Sequence, residues 1–268
     1  MIKLETDFPI LVCSCEKTKS IAKHMLISLD KYANKKIHIY IGIELNLHFD
    51  NLELEYIKTE KSDWKKETMF QINYIRKKSN SNYFLIILDD FIFNKKVDFN
   101  LIENLFQKMD YLKLKHLLLK PIDDSILLNI IGNFKKKYLF KNYFFKKIRK
   151  DHPYFSSLQI AIWDFEHFSN ILKSSSSIWD FENQKSNNID HNCLSIPIVH
   201  YKHVVEKGEW DFFSKEYCLE YISYFDQSNI NFKKLNYFQF IFNYIKKHLL
   251  FPVFGYLFTK KSFDKLLH

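Results

Sequence analysis

The sequence predicts an α/β protein built on a mostly parallel, Rossmann-like sheet with helices on both faces. Three observations carry this expectation. Continuous apolar runs at 8–13 and 83–88 have the length and composition of strands buried on both sides. A strict alternation places Ile37, Ile39, Ile41 and Ile43 on one face and His38, Tyr40 and Gly42 on the other. Helical patterns fall between these runs, and strands alternating with helices over residues 1–120 describe a doubly wound sheet.

Taken in order, the first strand is followed by a helix in which Ile21, Met25, Leu29 and Tyr32 share one face. Residues 36–43 give the second strand and 52–57 a weaker third. Residues 64–78 read as a helix that buries Trp64, Phe70, Ile72 and Ile75 and leaves its lysines in water. The apolar run 83–88 then ends abruptly in Asp89 and Asp90. Asp98 is placed to cap a helix carrying Leu101, Ile102, Leu105 and Met109, and 115–120 forms another strand closed by Pro121. Residues 122–152 read as helical and basic, 173–188 as irregular and rich in Ser and Asn, and 194–199 as a strand.

Composition narrows the function. The 268 residues are 47% hydrophobic and 26% charged, which excludes a disordered or fibrous chain. Only four glycines occur, at 42, 132, 208 and 255, too far apart for a P-loop or a dinucleotide-binding fingerprint. Forty Lys and Arg against 31 Asp and Glu leave a net charge of +9, which favours anionic partners. The four cysteines form no C-x-x-C pair, so a reducing, cytoplasmic setting is expected. The run at 8–13 is too short for a signal-peptide core, and no stretch approaches the roughly 20 apolar residues that span a bilayer.

The acidic pair is where chemistry is expected. In open α/β sheets ligands sit outside the carboxyl ends of the strands. Two adjacent carboxylates leaving a buried strand are costly unless a cation or hydrogen-bond donors answer them; a hard divalent ion shared with a diphosphate does so. Solvated loop acids are the plainer alternative.

A wider string of motifs bears on that choice. FPILVCSC (8–15), Trp64, YFLIILDDF (83–91), SSLQIAIW (156–163), IWDFE (178–182) and HVVEKGEW (203–210) follow one another in order. Together they resemble bacterial glycosyltransferases of the GT-A fold, in particular the small enzymes encoded with lipopolysaccharide O-antigen and capsule clusters. The resemblance implies a GT-A-like sheet and transfer of a sugar from a nucleotide-sugar donor to a glycan or lipid-linked acceptor, with inversion and with Mn²⁺ or Mg²⁺. Such enzymes commonly carry Asp-x-Asp; here Leu88 takes the first place, leaving Asp90 as the metal ligand and Asp89 to orient donor or metal. The loop after the first strand, including Ser14 and Cys15, matches the segment that meets the nucleotide base. Glu44 is a candidate for base or ribose, or an exposed loop acid, and Trp64 stands with the donor residues or in the core.

For the catalytic base the segment Trp179-Asp180-Phe181-Glu182 offers two acids with aromatic neighbours that can raise a pKa. Helical geometry points positions 180 and 182 roughly 200° apart, so only one faces the site. Asp180 suits a helix start better, which favours Glu182 as base with Asp180 as alternate. His203 is carried over as a second metal ligand, although the Lys-Gly order and missing proline depart from the family pattern. Lys207 is a candidate for the donor phosphates. Two zinc arrangements, Cys13 with Cys15 and His191, Cys193, His200 and His203, match no common module.

The expected organisation is one domain over 1–236, with a donor half (1–120) and an acceptor half (121–236), followed by a helical, basic, aromatic tail (237–268). That tail has the composition to lie on an anionic membrane surface, at the inner face of the cytoplasmic membrane. Two alternatives stand beside the transferase. A basic, aromatic chain is the footprint of a nucleic-acid binder, but the scattered lysines and missing motifs disfavour it. A catalytically silent glycosyltransferase-like scaffold is the other.

Overall fold

The structure, a computed structural model, describes residues 8–59, 63–122, 138–140, 143–150, 152, 154–184, 189–206 and 209–210. The chain opens with strand β1 (Ile10–Cys13), a short 3₁₀ turn (Glu16–Thr18), helix α1 (Lys19–Tyr32), β2 (Ile37–Ile41) and β3 (Leu52–Tyr56). Helix α2 (Trp64–Lys78) leads to β4 (Tyr83–Leu88), β5 (Phe91–Phe93), helix α3 (Phe99–Leu112) and β6 (His116–Leu118). There follow β7 (Tyr138–Phe140), β8 (Tyr143–Lys147), β9 (Ala161–Asp164), α4 (Phe165–Ser174), α5 (Ile178–Asn183), β10 (Asn192–Leu194) and β11 (Tyr201–His203), then the two-residue strands β12 (Val205–Glu206) and β13 (Glu209–Trp210).

Nine strands form one sheet in the order β3-β2-β1-β4-β9-β6-β10-β8-β7. The β3-β2-β1-β4 half is wholly parallel, and β6 pairs parallel with β10. Antiparallel β9 is inserted between β4 and β6, and β8 runs antiparallel to its neighbours. Seven of the nine strands therefore share one direction, the pattern expected of a mostly parallel α/β sheet.

Both faces are covered. Ile10 and Val12 of β1 point into one core with Met25 and Leu29 of α1 and Ile102, Leu105 and Met109 of α3. Leu11 points the other way, into a core with Ile72 and Ile75 of α2, Phe165 and Phe168 of α4 and Phe181 of α5. The period of two along a strand, applied to an apolar run, requires this division. Trp163 of β9 stands in the second core without exposed surface, edge-on to Phe168 at 5.2 Å between ring centroids.

Local chemistry fixes the helix ends. Asp98 accepts hydrogen bonds from Asn100 N and Leu101 N and caps α3; Asp63 accepts from Lys66 N and caps α2. Lys113 takes the left-handed conformation (φ 52°) that closes α3.

Four expectations are corrected. The segment 122–152 contains the strands β7 and β8, because Tyr-Leu-Phe and Tyr-Phe-Phe are aromatic runs suited to a sheet edge beside β10. The late strand covers 192–194 rather than 194–199, since Pro197 has no N–H to give a ladder. Phe70 is 52% exposed, and the buried stripe of α2 runs through Thr68, Gln71, Ile72 and Ile75 instead. The irregular stretch 173–188 contains the short helix α5, capped by Ser177. The tail 237–268 lies outside the described residues, and among the described residues no helix is long and apolar enough to cross a membrane.

Candidate active site

The site is built where β1 and β4 leave the sheet side by side, with Cys13 opposite Leu88 in parallel register. One residue further, Asp89 N donates to Cys13 O at 3.3 Å, which holds the acidic pair at the carboxyl edge. Asp89 turns towards the 3₁₀ turn that follows β1, where the Thr18 hydroxyl donates to its Oδ2. Burial pushes the Asp89 carboxyl up to about 7; the Thr18 bond opposes the rise and the neighbouring Asp90 charge adds to it.

Asp90 faces the other way. Its Oδ2 lies 2.7 Å from His203 Nε2, and its carbonyl accepts Val204 N at 3.1 Å, so the short β5–β11 ribbon is tied to the end of β4. Asp90 Oδ1 is buried with no hydrogen-bond partner. A buried, unanswered carboxylate oxygen is costly, and a cation is the simplest group to answer it.

The third acid comes from α5. Glu182 Oε1 accepts Leu158 N at 3.1 Å, and the Glu182 carbonyl accepts Ser156 N, so the loop before β9 clamps this residue at both ends. Burial raises its carboxyl above the ordinary range. The Leu158 bond opposes the rise, the Asp90 charge adds to it and His203 lowers it again. Glu182, Asp90 and His203 thus share one electrostatic neighbourhood. Asp180 does not join them: its carboxylate accepts from Ser176 N at 2.7 Å and from Ser176 Oγ, bonds that close the start of α5 and hold its pKa below the usual carboxylate range.

The other predicted residues spread along the same edge. Ser14 Oγ is buried without a hydrogen-bond partner, while Cys15 is exposed and caps the 3₁₀ turn with Thr18. Cys13 is pushed up to about 12 by burial and by Asp89, which makes it an inert thiol; Cys15 lies beyond the strand, so the two do not share a strand face. Glu44 is exposed in the segment after β2. Trp64 begins α2 and meets Phe181 edge-on at 6.1 Å, which makes it a wall of the second core beside α5. Gly42, just past β2, sits close against Gln71: a Cβ there would lie 2.2 Å from its Nε2, so the end of that side chain would have to move. Lys207 lies outside the described residues.

The set His191, Cys193, His200 and His203 does not converge. His191 is fully buried, bonded through Nε2 to His167 Nε2 at 2.7 Å and through Nδ1 to Phe155 O at 2.8 Å. Among the described residues no three His, Cys, Asp or Glu side chains form a metal cage. The residues here that could hold an ion are Asp90, through its unpartnered Oδ1, and the adjacent His203. Thr18 and the Leu158 amide were missed by sequence reasoning. The capping pattern Cys15-x-x-Thr18 was the available signal for the first; a backbone amide leaves none.

No protein-family model matches the chain, and no curated protein sequence matches it. Among solved structures the chain is similar to S. aureus TarS, with a TM-score of 0.42 and 15% identity over 96% of this chain and 45% of that one. It is also similar to UTP-bound UGPase from Acinetobacter baumannii, with a TM-score of 0.45 and 7% identity over 98% of each chain. The chain thus spans less than half the length of TarS.

Proposed function

We propose that this protein is a glycosyltransferase that moves a sugar, with inversion, from a nucleotide-sugar donor to a glycan or lipid-linked acceptor in surface polysaccharide synthesis. The observation that supports this reading is the gathering of Asp90, His203 and the half-buried Glu182 at the carboxyl edge of parallel strands.

In this reading Asp90 and His203 would hold Mn²⁺ or Mg²⁺, which would supply positive charge to offset that of the leaving nucleoside diphosphate. Asp89, fixed by Thr18, orients the donor. Ser14, Cys15, Glu44, Trp64 and Lys207 are the further donor contacts proposed. Glu182 acts through Oε2, because Oε1 is occupied by the Leu158 amide. That oxygen takes the proton of the acceptor hydroxyl as its oxygen bonds to the anomeric carbon, and the carbon–oxygen bond to the diphosphate breaks with its electron pair leaving on the diphosphate. An acid whose charged form is destabilised by burial is the stronger base at neutral pH. A lipid-linked acceptor would bring the protein to the inner face of the membrane, where the basic aromatic segment 237–268 suits anionic lipid.

The test is a thermal-shift panel of UDP-, GDP-, TDP- and CMP-sugars with and without Mn²⁺. A ligand that binds only the native state raises the melting temperature by mass action. One donor class shifting the wild type with Mn²⁺ and failing to shift Asp90→Asn supports the reading. A shift by random oligonucleotides and by no sugar nucleotide overturns it.

A further inference from the structure

A second feature adjoins the acidic site. On the β5–β11 ribbon Tyr201 stands opposite Phe93 and His203 opposite Phe91. Tyr201 and His203 are two residues apart on one strand and so share a face. The Phe91 ring bridges them, 4.2 Å from the Tyr201 ring and 5.9 Å from the His203 ring between centroids. At the Tyr201 end the ribbon opens into a groove of about 260 Å³ lined by Asn94, Lys120, Pro121, Pro197, His200 and Tyr201. Lys120 Nζ lies 5.1 Å from the centre of the Tyr201 ring.

These groups have a consistent chemistry. An aromatic face with two prolines suits the C–H face of a sugar ring. The Asn94 amide and the His200 imidazole provide donors and acceptors for hydroxyls; burial and the Lys95 charge lower the His200 pKa. The Lys120 ammonium lies over the Tyr201 ring, and the Lys95 charge acts on His200 beside it. The volume suits one ring and is too small for a nucleotide. Two residues of strand place His203 roughly 7 Å further along, so a ring seated at Tyr201 presents its neighbouring hydroxyl to the acidic site.

We propose that this groove binds a sugar ring carrying an anionic substituent, a phosphate or a carboxylate, and seats it as the acceptor. The binding stands on the groove alone; the role as acceptor rests on the transferase reading.

The experiment is a titration of the full chain, by calorimetry or saturation-transfer NMR, with glucose 6-phosphate, glucuronic acid, glucose and inorganic phosphate. The anionic sugars are expected to bind about tenfold more tightly than either glucose or phosphate, the increment of one charge-assisted contact. Whichever of the two binds tighter names the substituent. Lys120→Ala should remove the advantage over glucose, Tyr201→Ala should weaken all three sugars, and Tyr201→Phe, which keeps the ring, should retain binding even where Tyr201→Ala fails to fold. Asp90→Asn should leave monosaccharide binding intact. Phosphate binding as tightly as glucose 6-phosphate, or an anionic preference that survives Lys120→Ala, overturns the groove; so does loss of monosaccharide binding in Asp90→Asn, which would put the ligand in the acidic site. Failure of every sugar nucleotide to shift the melting temperature overturns the transferase reading and leaves the groove titration to stand by itself.

Discussion

Asp90 Oδ2 and His203 Nε2 meet at 2.7 Å, joining the acid that leaves β4 to the last residue of β11 while Asp90 Oδ1 remains buried and unanswered. The pairing leaves one carboxylate oxygen for a cation and gives the imidazole a fixed position beside it.

Asp90→Asn keeps the shape and removes the charge. Mn²⁺-dependent donor binding and transfer should fall together, with kcat/KM lower by about a hundredfold or more. His203→Gln should produce a smaller loss of the same kind. Wild-type activity that persists in excess EDTA would separate Asp90 from any metal role.

Glu182→Gln should lower kcat by about a hundredfold to ten-thousandfold with donor affinity nearly unchanged, since a base acts in the transition state. Asp180→Asn weakens the Ser176 contacts at the start of α5 and should lower stability slightly with turnover retained. Steady-state kinetics and urea unfolding on both variants decide the assignment, and the reverse pattern passes the role to Asp180.

The buried histidines make stability depend on pH. Burial holds His167 down to about 4, His191 to about 3 and His116 well below its ordinary value, with Asp164 opposing the shift at His167, Lys115 adding to it, and Asp190 opposing the shift at His191. In the unfolded chain each titrates near 6.5, so the unfolded state binds more protons as pH falls. Their contribution is complete above about 6.5 and is lost as pH falls towards 4, at about 1.4 kcal/mol per pH unit for each histidine. The raised acids Asp89 and Glu182 act in the opposite sense. The quantity to measure is therefore the difference between wild type and His191→Gln: urea midpoints at pH 7, 6 and 5 should show a shallower acid loss in the variant.

Phe84 of β4 stacks on Phe165 at 4.7 Å and meets Phe168 edge-on at 5.2 Å, so it anchors α4 to the strand that carries the acidic pair. Phe84→Ala should cost about 3–5 kcal/mol. Its chemical denaturation should shift accordingly, while Phe70→Ala, on the exposed side of α2, should change stability by less than about 0.5 kcal/mol.

The alternation of β1, α1, β2, α2, β4 and α3 is legible along the chain, because each of these elements is encoded by periodicity and capping within a few turns. The apolar run that ends in Asp89 and Asp90 belongs to this class, as does the cap at Asp98. The antiparallel insertion of β9 between β4 and β6, the strands β7 and β8, and the meeting of His191 with His167 inside the core depend on contacts between distant segments. The difference between the acids has the same origin: Asp180 bonds to its own helix start, while Glu182 lies within the field of Asp90 and His203. Local patterns report the conformational preference of a segment. Strand partners, burial and the charges that surround a carboxylate are set by residues distant in sequence, and no window of the chain contains them.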